Sequence, residues 1–157
     1  MKNYNIVWFC ADQLRWDALS GSGNTHIHTP NFDRLMETGT TFDRCYSQSP
    51  VCTPSRACFL TGRYPKSCRS SINGNTTFSK DETLVTKMFR DNGYVCGLSG
   101  KLHLTSMSAR DHQENRTDDG YSYFQWADNG MDLHDPGVNN YMDWLAEKGV
   151  DWYKTYK

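Results

Sequence analysis

The chain alternates short apolar runs with segments punctuated as helices, and that alternation restricts its fold more than any other feature. Residues 4 to 10 are apolar, β-branched and aromatic, and they stop at polar Asp12-Gln13. Residues 94 to 99 form a second such run, which leads into Gly100-Lys101-Leu102-His103. Runs of this kind suit strands buried on both faces of a parallel sheet. Thr29-Pro30 opens a helix that Gly39 closes. Residues 81 to 93 read as an amphipathic helix capped by Gly93. Residues 40 to 46 read as a short strand, and residues 139 to 148 as a last helix with Tyr141, Met142 and Leu145 on one face. The polar stretch from 105 to 137 has no clear period and reads as an irregular surface segment. Strands alternating with helices predict an α/β fold with a mostly parallel central sheet. Ligands in such sheets sit at the carboxyl ends of strands. That rule draws attention to Asp12.

Bulk properties exclude several functions. The chain has 157 residues, enough for one modest domain with a core. Its 17 basic and 18 acidic residues nearly cancel, so neither nucleic acid nor a membrane surface is an expected partner. No apolar run reaches the roughly 18 residues of a membrane span. The first residues carry one lysine and a short apolar run, without a small-residue cleavage site, so no secretory signal is expected and a cytoplasmic location follows. Six cysteines lie at 10, 45, 52, 58, 68 and 96, none in Cys-x-x-Cys spacing, which leaves a zinc ribbon or dithiol motif unsupported. Reduced thiols are expected, with Cys10 and Cys96 as small core residues on strands. His26, His28, His112 and His134 have no partner spacing and are expected at the surface.

The densest chemistry lies in Cys52-Thr53-Pro54-Ser55-Arg56, followed by Ala57-Cys58-Phe59-Leu60-Thr61-Gly62-Arg63. Proline suits a first helical turn and Gly62 suits a left-handed cap. Cys52 is therefore expected at a helix N-terminus, where backbone N–H groups favour negative charge. Arg56 follows one turn later. A Cys-x5-Arg phosphatase loop is excluded by counting, because Cys58 stands six residues after Cys52 and Tyr64 six after Cys58.

This stretch resembles the signature of the sulfatase family, cysteine type, which reads Cys-x-Pro-Ser-Arg and then Thr-Gly-Arg. The resemblance implies an alkaline-phosphatase-like α/β/α sandwich, of which residues 1–157 would be the N-terminal portion. It implies that a maturation enzyme converts Cys52 to formylglycine, whose hydrate is the nucleophile, and that Arg56 holds the hydrate's oxygens. Arg63 is expected to pack or pair structurally. Asp12-Gln13 resembles the family's first metal motif, in the form found in the subgroup similar to choline sulfatases and phosphonate monoester hydrolases. The implied cofactor is a divalent metal, Ca2+ first and Mn2+ or Mg2+ next, with Asp12, Gln13 and converted Cys52 as ligands. Asp12 supplies a carboxylate, and Gln13 either a carbonyl or a supporting role. Gly100-Lys101-Leu102-His103 resembles the second signature, Gly-Lys-x-His. Alternation would point Lys101 and His103 to one side, toward the nucleophile or the sulfate. Asn73-Gly74 is either an ordinary turn or, as in that subgroup, the source of an oxyanion contact through Asn73.

The implied activity is hydrolysis of a small-molecule or carbohydrate sulfate ester. A phosphonate or phosphate ester hydrolase and a truncated non-catalytic module are the alternatives. The family's second set of metal ligands, Asp-His or Asp-Asn followed by Gly, is absent: Asp111-His112 and His134-Asp135 do not match it. The isolated chain is therefore expected to be a poor or inactive catalyst.

Overall fold

Proline stands in the first turn of two of the helices, and a left-handed glycine ends one of them. The computed structural model of the chain describes residues 4–106, 114, 118–127, 137 and 139–151. These fall into two compact units, one up to Cys45 and one from Tyr46 onward.

In the first unit, helix α1 spans Pro30–Thr38, with Thr29 at its N-cap and Pro30 in its first turn. Asp33 ties the helix to the preceding loop. Its carboxylate accepts from Ser20 Oγ at 2.7 Å and from the Gly21 N–H at 2.8 Å. The bond from Ser20 is the main reason its carboxyl titrates below the usual range. Two single-turn 3-10 helices, Trp16–Ala18 and Ser20–Ser22, complete this loop. Phe9 meets Phe32 edge-on, with ring centroids 6.5 Å apart.

Two expectations fail in this unit. Residues 4 to 10 are not a buried strand; they join no ladder among the described residues, and Val7 is 88% exposed. An apolar run supplies strand propensity but not the neighbouring strand that makes a ladder. Cys10 is accordingly exposed, not a core residue. Residues 40 to 46 also form no strand and instead turn at Asp43-Arg44.

The second unit holds the parallel sheet. Helix α2 spans Cys52–Thr61 and ends on Gly62, whose φ of 68° is left-handed and whose N–H donates to the Cys58 carbonyl at 2.8 Å. Helix α3 spans Val85–Asp91, shorter than the expected 81 to 93. Glu82 lies ahead of the helix, where Arg63 grips both of its oxygens, at 2.8 and 2.9 Å. That pair also fulfils the structural role expected of Arg63. Strand β1 spans Cys96–Gly100 and strand β2 spans Tyr121–Trp126. They pair in parallel, with Cys96 opposite Tyr121, Leu98 opposite Phe124 and Gly100 opposite Trp126. Helix α4 spans Asn140–Glu147, capped by Asn139, whose side chain accepts from the N–H groups of Tyr141 and Met142.

Strand β2 corrects the expectation that 105–137 is irregular. Its run Tyr-Ser-Tyr-Phe-Gln-Trp favours a strand through aromatic propensity, but polar neighbours on both sides hide it. Parallel strands need a crossover of a dozen or more residues, and residues 101–120 provide it. Asp111, His112, His134 and Asp135 lie outside the described residues.

Ala57, Leu60, Cys68, Phe78, Leu84, Leu102 and Leu104 form the core of this unit, flanked by Leu98, Tyr121 and Phe124. The Cys58 thiol, pushed up by burial and by Cys68 beside it, belongs to the same interior. All six cysteines are free, and Cys96 is only half-buried on β1. Among the described residues no helix is long and apolar enough to cross a membrane.

The crossover docks on α3 through residues 118–120. Asp118 pairs with Lys87 at 2.7 Å and with Arg90 at 2.6 Å, and these contacts lower its carboxyl to about 2. Thr86 Oγ1 donates to the Asp119 carbonyl. Gly120, at φ 85°, has backbone atoms of Lys87 only 2.5 Å from where a Cβ would stand. Backbone cannot yield as a side-chain tip can, so Gly120→Ala should cost about 2–3 kcal/mol. Urea unfolding measures this, and a midpoint equal to wild type would refute the close approach.

Candidate active site

The N-terminus of α2 is built by two residues outside it. Val51 is the N-cap and contributes no side-chain bond. The cap comes from the 73–74 turn. Asn73 Oδ1 accepts from the Thr53 N–H at 3.3 Å and from the Thr53 hydroxyl at 3.1 Å. The Gly74 N–H donates back to that hydroxyl at 3.0 Å. One otherwise orphaned N–H of the first helical turn is thereby satisfied. Thr53 is fully buried by this clasp. Cys52, the first helical residue, is half-buried beside it. Asn73 is thus placed as a turn and helix-capping residue.

Arg56 sits one turn further along α2 and is 7% exposed. It is not a surface arginine. Its Nη1 donates to the Lys101 carbonyl at 2.5 Å. The helix that carries Cys52 is therefore joined directly to the segment that carries Lys101 and His103. A buried guanidinium needs such partners, since burying an unsatisfied charge is costly.

The 101–106 segment leaves β1 with Leu102 and Leu104 buried in the core and Lys101 and His103 half-buried. The expected alternation thus holds in burial. The backbone is not simply extended, however, because His103 has φ of 55°, in the left-handed region that a non-glycine residue seldom occupies. The segment is held from two sides. The Ser106 N–H donates to the Asn75 carbonyl at 2.6 Å. Glu114, from the crossover, accepts from the N–H groups of His103 at 2.6 Å and Thr105 at 2.9 Å, and also from that of Leu104.

Glu114 was not legible as a functional residue. It is a single carboxylate in a polar stretch, with no spacing that marks it. In the structure it is 7% exposed. Burial pushes its carboxyl above the usual range, while the three amide bonds pull the other way.

The structure thus links Cys52, Arg56, Asn73, Lys101 and His103 through one hydrogen-bonded frame in the second unit. Asp12 and Gln13 belong to the first unit, where both are exposed in a turn and Gln13 has φ of 57°. Asp12 carries the hard oxygen donor that a divalent cation wants. Among the described residues, however, no group of three or more His, Cys, Asp and Glu side chains is gathered for a metal. His26 and His28 are exposed, as expected. His26 borders a shallow hollow of about 380 Å³ with Asp17, Ser22 and Asn24.

Comparisons with known proteins bear on this frame. The family model described as Sulfatase matches residues 4–152. Human "Arylsulfatase H" is 36% identical over 140 residues, covering 81% of this chain and 25% of that protein. The "N-acetylglucosamine-6-O-sulfatase" of Bacteroides thetaiotaomicron is 32% identical over 148 residues, covering 94% of this chain and 25% of that protein. The crystal structure of Ps i-CgsB aligns with a TM-score of 0.64 at 28% identity, over 87% of this chain and 31% of that chain. The same protein was also solved in complex with k-i-k-neocarrahexaose. The chain spans about a quarter of the length of these curated relatives.

Removing the Thr53 hydroxyl tests the clasp. Thr53→Val keeps the shape but leaves the Gly74 N–H without its acceptor, at an expected cost of about 1–2 kcal/mol. Denaturant unfolding reads the loss, and a Thr53→Val protein as stable as wild type would show that the turn does not hold the helix.

Proposed function

The chain belongs to the sulfatase family, and on that premise we propose that it supplies the nucleophile-bearing part of a sulfuric ester hydrolase. Its fold class, α/β with parallel strands, is that of its structural neighbours. The observation that carries the proposal is the bond from Arg56 to the Lys101 carbonyl, which joins the helix of the first signature to the loop of the second.

Converted to formylglycine by a maturation enzyme, Cys52 supplies an aldehyde hydrate whose hydroxyl attacks the sulfur of a sulfate ester. The chain's own groups set up that attack. Cys52 opens α2, and negative charge is favoured at a helix N-terminus. Arg56 adds a fixed positive charge one turn on, while its Nη1 bond aligns the Lys101 backbone. Lys101 presents a compact cation suited to a sulfate oxygen. His103 can donate or accept a proton near neutral pH, as departure of the alcohol requires. Asn73 reaches the substrate only through its amide nitrogen, because its oxygen serves Thr53.

The family generally uses a divalent cation, and Asp12 and Gln13 are this chain's candidates for holding it. Sulfated carbohydrates or small molecules are the proposed substrates, in keeping with the names of the relatives. A phosphonate or phosphate ester hydrolase is the second reading, and it rests on glutamine following Asp12.

Mass spectrometry of the Cys52 peptide, from chain produced with a formylglycine-generating enzyme, tests the first requirement. The expected result is the mass loss for exchanging the thiol and one hydrogen for a carbonyl oxygen. Unmodified Cys52 under those conditions contradicts the proposal and favours a non-catalytic module. In the natural polypeptide that carries this sequence, Cys52→Ala should lower kcat by about a thousandfold or more. Faster turnover of 4-nitrophenyl phenylphosphonate than of 4-nitrophenyl sulfate would favour the second reading.

A further inference from the structure

We propose that Glu114 is a positioning residue, whose carboxylate fixes the backbone from His103 to Thr105 and thereby orients Lys101 and His103. This deepens the hydrolase reading above and rests on it for its catalytic consequence. The geometry stands without that reading. Three consecutive backbone N–H groups converge on one side chain: His103 at 2.6 Å and Thr105 at 2.9 Å, with Leu104 between them. Trp126, at the end of β2, adds its indole N–H at 3.4 Å. Four donors around one carboxylate form the kind of anion nest that backbone N–H groups make for external ions. Here the anion is the chain's own.

The nest is needed because the segment it holds is unfavourable by itself. His103 occupies a left-handed backbone conformation at φ of 55°. Non-glycine residues stay there only when surrounding structure fixes them, and such positions gather at functional sites. Leu102 and Leu104 pin the alternate side chains in the core, and Glu114 fixes the intervening amides. Arg56 holds the preceding carbonyl, that of Lys101. Lys101 and His103 are therefore set by two charged, buried side chains of opposite sign, one acting on a carbonyl and one on N–H groups. Replacing Glu114 by glutamine keeps its size but turns an NH2 toward backbone donors, which cannot accept it.

The test uses two variants and two readouts. Backbone amide exchange is followed by NMR on the 157-residue chain for wild type, E114Q and E114D. In E114Q, the amides of His103, Leu104 and Thr105 should exchange about tenfold faster or more, while those of Leu60 and Met88, bonded within α2 and to the Leu84 carbonyl, keep their wild-type rates. E114D retains a carboxylate and should show a smaller increase. Unchanged exchange at 103–105 overturns the proposal, and so does equal acceleration at Leu60 and Met88, which marks a global effect. Where E114Q does not fold, the same comparison is made with E114D. The second readout is turnover of 4-nitrophenyl sulfate by the natural polypeptide with Cys52 converted. E114Q should lower kcat about ten- to a hundredfold with KM little changed, as for a misplaced transition-state contact. Full kcat in E114Q, beside loosened amides, overturns the positioning role. If the wild-type enzyme has no turnover while the amides loosen locally, the hydrolase reading fails and the hold of Glu114 on the loop stands.

Discussion

The second unit depends on how the charge of Arg56 is accommodated inside it. A guanidinium that is 7% exposed must find acceptors, and one of them is the Lys101 carbonyl at 2.5 Å. This single requirement joins helix α2 to the end of strand β1. The other contacts reinforce the junction. The Asn73–Gly74 turn clasps Thr53 at the start of the helix, and Asn75 accepts from Ser106 at the far end of the 101–106 segment. Glu114 closes the frame from the crossover. The arrangement fixes the backbone of this segment and leaves the side chains of Lys101 and His103 half-buried.

These contacts join the stretches around Cys52 and Lys101 within one unit. Cys52 and Arg56 occupy successive turns of α2, so one helix carries both the first signature's cysteine and the tie. Lys101 and His103 alternate with Leu102 and Leu104, so one segment carries the polar groups and their apolar anchors. The core cluster and the site share that segment. Loss of packing at Leu102 or Leu104 would therefore disturb the placement of Lys101 and His103 as well as stability.

Much of this was legible in the sequence, because the informative features are local. Proline and glycine marked α1 and α2, Asn139 marked the start of α4, and the spacing of Cys52 to Arg56 set one turn of helix. Contacts that cross the chain were not legible. The apolar run at 4 to 10 predicted a strand, but ladder pairing is a property of two segments and not of one. Strand β2 was missed because its partner lies 25 residues earlier, Cys96 opposite Tyr121. Glu82 looked helical but lies ahead of the helix, paired with Arg63. Glu114 had no pattern at all, since its partners are backbone N–H groups, which every sequence has.

The most direct test of the account is a crystal structure of the protein with Cys52 converted to formylglycine, grown or soaked with inorganic sulfate. The account predicts a sulfate beside residue 52 with its oxygens within hydrogen-bonding distance of Lys101 Nζ and the His103 imidazole, and Arg56 still bonded to the Lys101 carbonyl. Sulfate absent from that position, or an Arg56 guanidinium turned out to solvent with the 101–106 segment unchanged, would contradict it.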